Sequence, residues 1–187
     1  MKIFIVNYFF IFSFDSGKTK NDQLSTYGME IIYNTFRLSD GTIIGCYFWD
    51  TNGTLRFRTS NESYYKKVDG CIVVYDITDQ NSFDEIENYY IPNIKEKCKE
   101  NIPTLILGNK ADLNDMRKVS VEKGKQLALK YGFLFNETSS IEKSNLNDIF
   151  QMIIEITNDK IERTENENDR RVNINNQIEK RLCFKYC

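Results

Sequence analysis

The chain contains no run of about eighteen consecutive apolar residues, which excludes a conventional membrane-spanning helix. It has no basic surplus either. The 25 Lys and Arg residues stand against 27 Asp and Glu, a formal net charge of −2, so nucleic acid is excluded as an expected partner. The five cysteines, Cys46, Cys71, Cys98, Cys183 and Cys187, show no metal-ligand spacing. Being odd in number and widely spread, they make no paired framework and read as belonging to a reducing compartment. With 187 residues there is no length for a second large domain, although one real hydrophobic core fits. An apolar fraction of 41% and a charged fraction of 28% are those of a soluble globular protein.

What is present begins with Lys2 and an almost wholly apolar stretch, Ile3 to Phe14. Its charge and length match a signal-peptide core. Its Ile, Phe, Val and Tyr suit a buried first strand, and Phe12-Ser13-Phe14-Asp15 lacks the small residues of a cleavage site, so the strand is the reading adopted. A polar turn spans Ser13 to Thr19. Glu30 to Leu38 and Thr42 to Trp49 read as strands joined by a hairpin turn at Asp40-Gly41. Asn61 to Lys67 suggests a short helix, and Gly70 to Tyr75 is a continuous apolar run, hence a central strand buried on both faces. Ser82-x-x-Glu85 has the form of a capping box opening a helix to about Glu100, bent by Pro92. Further strands are expected at Pro103 to Leu107 and Phe133 to Phe135, with a helix from Ser120 to Lys130 between them. Leu146, Ile149, Phe150, Ile153 and Ile154 fall at helical spacing. Strands alternating with helices after one hairpin predict an α/β fold.

The densest chemical signal is Asn109-Lys110-Ala111-Asp112, directly after an apolar strand and Gly108. An aspartate carboxylate in that position accepts two hydrogen bonds from N1–H and N2–H₂ of guanine, a donor pair that adenine lacks. A base without those donors leaves a charged acceptor unpaired, which costs about 1–3 kcal/mol. The motif is short, but it keeps company with Trp49-Asp50-Thr51-Asn52-Gly53, with VVYDIT at 73–78 and with ETSS at 137–140, in that order.

These segments, with RFRTS at 56–60, SYYKK at 63–67 and VVYDITDQNSF at 73–83, resemble the small GTPases of the Ras superfamily and, within it, the Rab branch. The resemblance is close over about residues 27–160 and poor over the first 26. It implies a P-loop NTPase fold: a mostly parallel six-stranded sheet with one antiparallel edge strand and helices on both faces. It implies a GTP/GDP switch that hydrolyses GTP, uses Mg²⁺ and meets effectors and regulators through a surface on residues 42–90. Monomeric behaviour, vesicle-mediated transport and a peripheral location on the cytoplasmic face of intracellular membranes follow from the same likeness. For the base, the resemblance implies Asn109, which would tie its loop to the phosphate loop, Lys110, whose stem would cover one face of guanine, and Asp112. Ser139 and Ser140 belong to the loop whose N–H groups receive the guanine carbonyl oxygen, and Ile141 stands where a lysine is usual. Asp50 matches the aspartate that holds a magnesium-bound water, and Gly53 the glycine whose N–H meets the γ-phosphate.

The phosphate half departs from the pattern. A P-loop needs Gly-x-x-x-x-Gly-Lys-Ser/Thr because glycines let N–H groups converge on phosphates. Here the first glycine is Phe12 in one register, while in the other, beginning at Asp15-Ser16, the loop is two residues short. Ser16, Gly17, Lys18 and Thr19 remain as phosphate ligands, with Lys18 matching the β/γ-phosphate lysine and Thr19 a magnesium ligand. Thr26 matches the magnesium-binding threonine of the first switch. Only Lys20 to Ser25 separate it from Thr19, about 9 Å of helix, so the first helix is expected to be missing or rudimentary. Thr54 occupies the usual position of the catalytic glutamine and is too short to hold a water in line, so hydrolysis is expected to be impaired.

The G domain is expected to span residues 1–160, followed by a polar, flexible tail over 161–187. The chain ends Cys183-Phe-Lys-Tyr-Cys187, without adjacent cysteines or the spacing of a C-a-a-X box; the resemblance implies prenylation of Cys187, with Cys183 a second candidate, and the alternative is an unmodified thiol. Two functional readings remain open. One is a Rab-like GTPase with slow hydrolysis. The other is a Rab-like pseudo-GTPase that binds partners but little or no nucleotide. A third possibility is an ordinary Rab whose first 26 residues derive from a wrong start or a retained intron.

Overall fold

A computed structural model describes residues 1–6, 29–51, 64–142 and 145–183. Six strands, β1 (Lys2–Val6), β2 (Met29–Arg37), β3 (Ile43–Thr51), β4 (Gly70–Asp76), β5 (Thr104–Asn109) and β6 (Leu134–Glu137), form one sheet in the order β2-β3-β1-β4-β5-β6. The pair β2–β3 is antiparallel and the other four neighbouring pairs are parallel. This is the mostly parallel sheet with one antiparallel edge strand that the sequence predicts. The hairpin turns at Asp40-Gly41, where Gly41 has φ +90°, a backbone angle that a Cβ disfavours.

The apolar runs of β4 and β5 are continuous because both faces of the sheet are covered. Cys71, Val73 and Tyr75 face one way and pack with Ile86, Tyr90, Ile91, Ile94 and Leu127 from the helices on that side. Ile72 and Val74 face the other way, with Ile3, Ile5, Leu105 and Leu107, against Ile149, Phe150, Ile153 and Ile154. The helices are α1 (Gln80–Glu85), α2 (Ile91–Lys97), α3 (Val121–Tyr131) and α4 (Leu146–Cys183). Burying each of the Val, Leu, Ile and Phe side chains among these contributes about 1.5–3 kcal/mol.

Two local expectations are corrected. The helix after β4 is capped by Asp79, whose carboxylate accepts from the N–H of Asn81, and not by Ser82. The Ser82 hydroxyl faces back toward the strand: it accepts from the N–H of Asp76 at 3.0 Å and donates to Asp79 O at 2.8 Å. Both residues are good caps, and the aspartate three places earlier in the chain wins. Pro92 does not simply bend that helix. A π-helical segment, Ile86–Tyr90, separates α1 from α2, and Pro92 lies in the first turn of α2. The wider turn absorbs the missing N–H and the clash of the proline ring with the preceding turn. By contrast, Ser120 caps α3 as expected, accepting from the N–H of Lys123.

In the stretch where a tail is expected from residue 161, α4 continues without a break to Cys183. Its first half is fixed by the core and by Lys160, which donates to the carbonyls of Glu100 and Asn101. Residues 162–167 are exposed, so that stretch is a polar helix continuing out of an anchored one. Propagation adds one hydrogen bond per residue once nucleation has been met, and i,i+4 contacts such as Asn158 to Glu162 assist it.

Candidate functional site

The parallel strands all end on one rim. Val6 lies opposite Thr51, Asp76 opposite Asn109, and Gly108 opposite Glu137. In an open parallel sheet this carboxyl-terminal rim is where ligands bind. Asn109 and Asp50 are both on it, 5% and 3% exposed, and so are the buried Ser139 and Ser140.

Asn109 closes β5 and fastens the loop after β6. Its Oδ1 accepts from the hydroxyl of Ser140 at 2.8 Å and from the N–H of Ser140 at 3.2 Å. The next residue, Lys110, takes a left-handed conformation, φ 65° and ψ 38°, which costs about 1–2 kcal/mol for a residue with a Cβ. That turn brings the N–H of Ala111 to Thr138 O at 3.0 Å, while the N–H of Thr138 reaches Gly108 O at 2.8 Å. The two loops are thereby zipped together, and Asp112 arrives beside Ser139. The Ser139 hydroxyl donates to Asp112 Oδ1 at 2.5 Å and accepts from the N–H groups of Ile141 and Glu142. One carboxylate oxygen of Asp112 is thus committed to orientation.

Two of these contacts differ in kind from the roles implied by the resemblance. The N–H of Ser140, expected to receive a guanine carbonyl, donates to Asn109. The ammonium of Lys110 reaches back to the end of β4, where it meets Asp76 Oδ2 at 2.6 Å. Asp76 also accepts from the N–H and hydroxyl of Thr78, at 2.8 and 2.7 Å. Partial burial pushes the Asp76 carboxyl up, but the hydrogen bonds from Lys110 and Thr78 outweigh it and hold the group below the ordinary carboxylate range. Sequence reasoning used Asp76 only as a letter in VVYDIT. Its position as the last residue of a buried strand, level with Asn109, is the signal that marks it.

A second frame holds the rim from outside. Arg117 grips Glu137 through two parallel bonds of 2.7 and 2.8 Å, and also donates to Val119 O and Asn114 Oδ1. The residues that carry Asp112, a 3₁₀ turn over Ala111–Met116, are therefore tied to the end of β6. Ile141, where the family usually has a lysine, is 60% exposed at the lip.

Of the other predicted residues, Ser16, Gly17, Lys18, Thr19, Thr26, Gly53, Thr54 and Cys187 lie outside the described residues. Cys183 is the last residue of α4. Among the described residues no three His, Cys, Asp or Glu side chains are grouped to hold a metal ion. Asp50 is the described member of the expected magnesium set. It is buried next to the end of β3. No helix among the described residues is long and apolar enough to cross a membrane.

The profile of the Ras family matches residues 8–159 of the chain. The human Ras-related protein Rab-8B is 41% identical over 140 residues, which are 75% of this chain and 67% of that protein. The Ras-related protein Rab-8A of Bos taurus and that of Mus musculus are each 44% identical over 137 residues, 73% of this chain and 64% of theirs. The match thus spans about two thirds of the length of these relatives.

Proposed function

Because this chain belongs to the Ras family of small GTPases, and within it is of the Rab type, we propose that it works as a guanine-nucleotide switch in vesicle-mediated transport, with slow GTP hydrolysis. The observation that carries the reading is the alignment of Asp112 by the hydroxyl of Ser139 beside the Asn109–Ser140 clamp, at the carboxyl rim of the sheet. A carboxylate fixed in this way presents acceptors to the N1–H and N2–H₂ edge of guanine without having to be ordered on binding. Lys110, drawn toward β4, carries its aliphatic stem along the same rim, and the exposed Ile141 offers an apolar flank to a base. In this reading Lys18 and the N–H groups of residues 16–19 and Gly53 hold the phosphates. Thr19, Thr26 and, through water, Asp50 hold Mg²⁺, which when bound neutralises charge on the β- and γ-phosphates. Regulators and effectors meet the surface over 42–90, where Tyr47 and Ile43 are exposed on β3. A prenyl group on Cys187 brings the chain to the cytoplasmic face of a membrane.

The test is a swap of base specificity. Asp112→Asn should exchange preference for guanine nucleotides for preference for xanthine nucleotides, because the xanthine C2 carbonyl accepts where guanine donates. If the two compete equally before and after the change, Asp112 does not read the base.

A second reading is favoured by Phe12 at the first P-loop glycine and by the six residues between Thr19 and Thr26. In it the chain is a pseudo-GTPase that keeps the fold and the partner surface and binds nucleotide weakly.

A further inference from the structure

We propose that Cys71 and Cys98 form a reversible disulfide, a redox-sensitive clasp between the start of β4 and the end of α2. Their sulfur atoms lie 4.0 Å apart, against about 2.05 Å in a disulfide, so a closure of roughly 2 Å joins them. Neither thiol has a part in the nucleotide site, which is at the opposite end of β4.

The pair is held face to face by contacts on both flanks. Asp69, two residues before Cys71, forms an ion pair with Lys99, the residue after Cys98, at 2.8 Å. Asp69 is itself fixed to β1, because its carboxylate accepts from the N–H of Lys2 and its own N–H donates to Lys2 O. The N–H of Cys71 donates to Pro103 O at 2.9 Å, so β4 is anchored where Cys71 sits. Cys98 has left helical geometry, with ψ 167° at the helix end, and is followed by a bend and a turn. The strand side is therefore rigid and the helix side is where the remaining movement is available.

Exposure gives the two thiols different roles. Cys71 is fully buried and Cys98 half-buried, so a small oxidant meets Cys98 first. A hydroperoxide is the co-reactant. The Cys98 sulfur attacks the peroxide oxygen, the O–O bond breaks, and an alcohol or water leaves, giving the sulfenic acid. The Cys71 sulfur then attacks the Cys98 sulfur, and the sulfenic oxygen leaves as water with the Cys71 proton. The balance is two thiols and one hydroperoxide giving one disulfide, one alcohol (or water) and one water. Burial, with the neighbouring Cys98 thiol, pushes the Cys71 thiol well up, so the thiolate that the second step uses is scarce. A dithiol reverses the reaction by exchange.

The clasp would bear on the partner surface. Tyr65 shares the core cluster that holds Cys71 and Cys98, and its neighbour Tyr64 stacks edge-on against Trp49 at 5.4 Å. These tyrosines belong to the 63–67 segment, so closing the bridge repacks the side of the core that supports it. This last point rests on the switch reading above; formation of the bridge does not.

The experiment uses the full chain, reduced and then exposed under native conditions to hydrogen peroxide. Free thiols are blocked with an alkylating agent, and proteolytic fragments are read by mass spectrometry. The expected result is a linked pair of fragments containing Cys71 and Cys98, lost on treatment with dithiothreitol. Cys98→Ser should abolish the linkage while leaving the far-ultraviolet circular dichroism of the protein unchanged. Oxidation of Cys98 to sulfinic or sulfonic acid with Cys71 still a thiol overturns the proposal. So does a bridge from Cys98 to Cys46, Cys183, Cys187 or a second chain. The linked fragment from the unsubstituted protein decides the matter even if the serine variant does not fold. Guanine-nucleotide content, measured in both redox states, reports on the switch separately.

Discussion

Asp112 takes its orientation from a side-chain hydroxyl, and that choice sets how the base corner behaves. A hydrogen bond to a charged acceptor contributes about 1.5–3 kcal/mol, so the contact with Ser139 at 2.5 Å holds the carboxylate firmly. The same hydroxyl accepts from two backbone N–H groups, which fixes the loop and the carboxylate in one step. In the reading with slow hydrolysis Thr54 is the opposite case, a residue whose proposed effect is a missing reach. A threonine hydroxyl on one carbon cannot replace the amide of a glutamine as a guide for water. Thr54→Gln is expected to raise single-turnover GTP cleavage by about tenfold or more, since positioning of the attacking water is a main component of catalysis in this family. An unchanged rate, with GTP occupancy demonstrated, places the limiting defect in the phosphate loop or the magnesium site.

Between elements, the approach of α3 to the sheet turns on Gly124. A Cβ built there lies 2.2 Å from Phe135 Cε2, 2.6 Å from its Cζ and 2.9 Å from the hydroxyl of Tyr75. Gly124→Ala gains about 1 kcal/mol of helix propensity, but the Phe135 ring must shift to admit a methyl, and forcing one into this packing costs about 1–3 kcal/mol. The substitution is therefore expected to lower the urea midpoint of unfolding at an unchanged slope; a raised midpoint means that α3 stands further from the sheet than described. Elements of this kind were legible in the sequence to different degrees, for physical reasons. The strands β4 and β5 were plain because burial on both faces leaves a continuous apolar run. The hairpin and the capped helix α3 were plain because Asp40-Gly41 and Ser120 carry local turn and cap chemistry. The site corner was visible in Asn109, Lys110, Asp112, Ser139 and Ser140 as types and order, but its wiring was not. That Lys110 turns back to Asp76, and that Asn109 engages the N–H of Ser140, depends on a left-handed residue at 110 and on strand register. No periodicity encodes either of these. Asp79 displaced Ser82 as cap because two adequate caps compete within four residues. The end of α4 was not legible, since a polar helix continuing from an anchored one has no amphipathic stripe to announce it.

Over the whole molecule, the proposed site combines a base half held by these contacts with a phosphate half whose sequence departs from the pattern. The proposed membrane attachment rests on Cys187; if it is prenylated, extracts labelled with a prenyl precursor should show the label on this chain and lose it with Cys187→Ser, and an unlabelled parent chain ends that assignment. The two halves of the site bear on affinity instead. Base contacts select guanine, but nucleotide binding in a P-loop depends on N–H groups converging on phosphates. In the pseudo-GTPase reading, Phe12 at a glycine position or a loop two residues short, with only six residues between Thr19 and Thr26, would leave fewer such donors available. Each lost charge-assisted hydrogen bond is worth about 1.5–3 kcal/mol. Three losses lower affinity by roughly three orders of magnitude or more, since about 1.4 kcal/mol is tenfold. In that reading the purified chain carries far less than one GDP per molecule. A chimera with a complete P-loop and first helix, joined ahead of Thr26, should carry close to one. Acid extraction followed by chromatographic quantification of guanine nucleotide separates the two readings. Near-stoichiometric GDP on the unaltered chain removes the pseudo-GTPase reading and leaves a true GTPase, slowed at Thr54. An empty parent beside a loaded chimera means that the base corner is intact and that the deficit lies before residue 26.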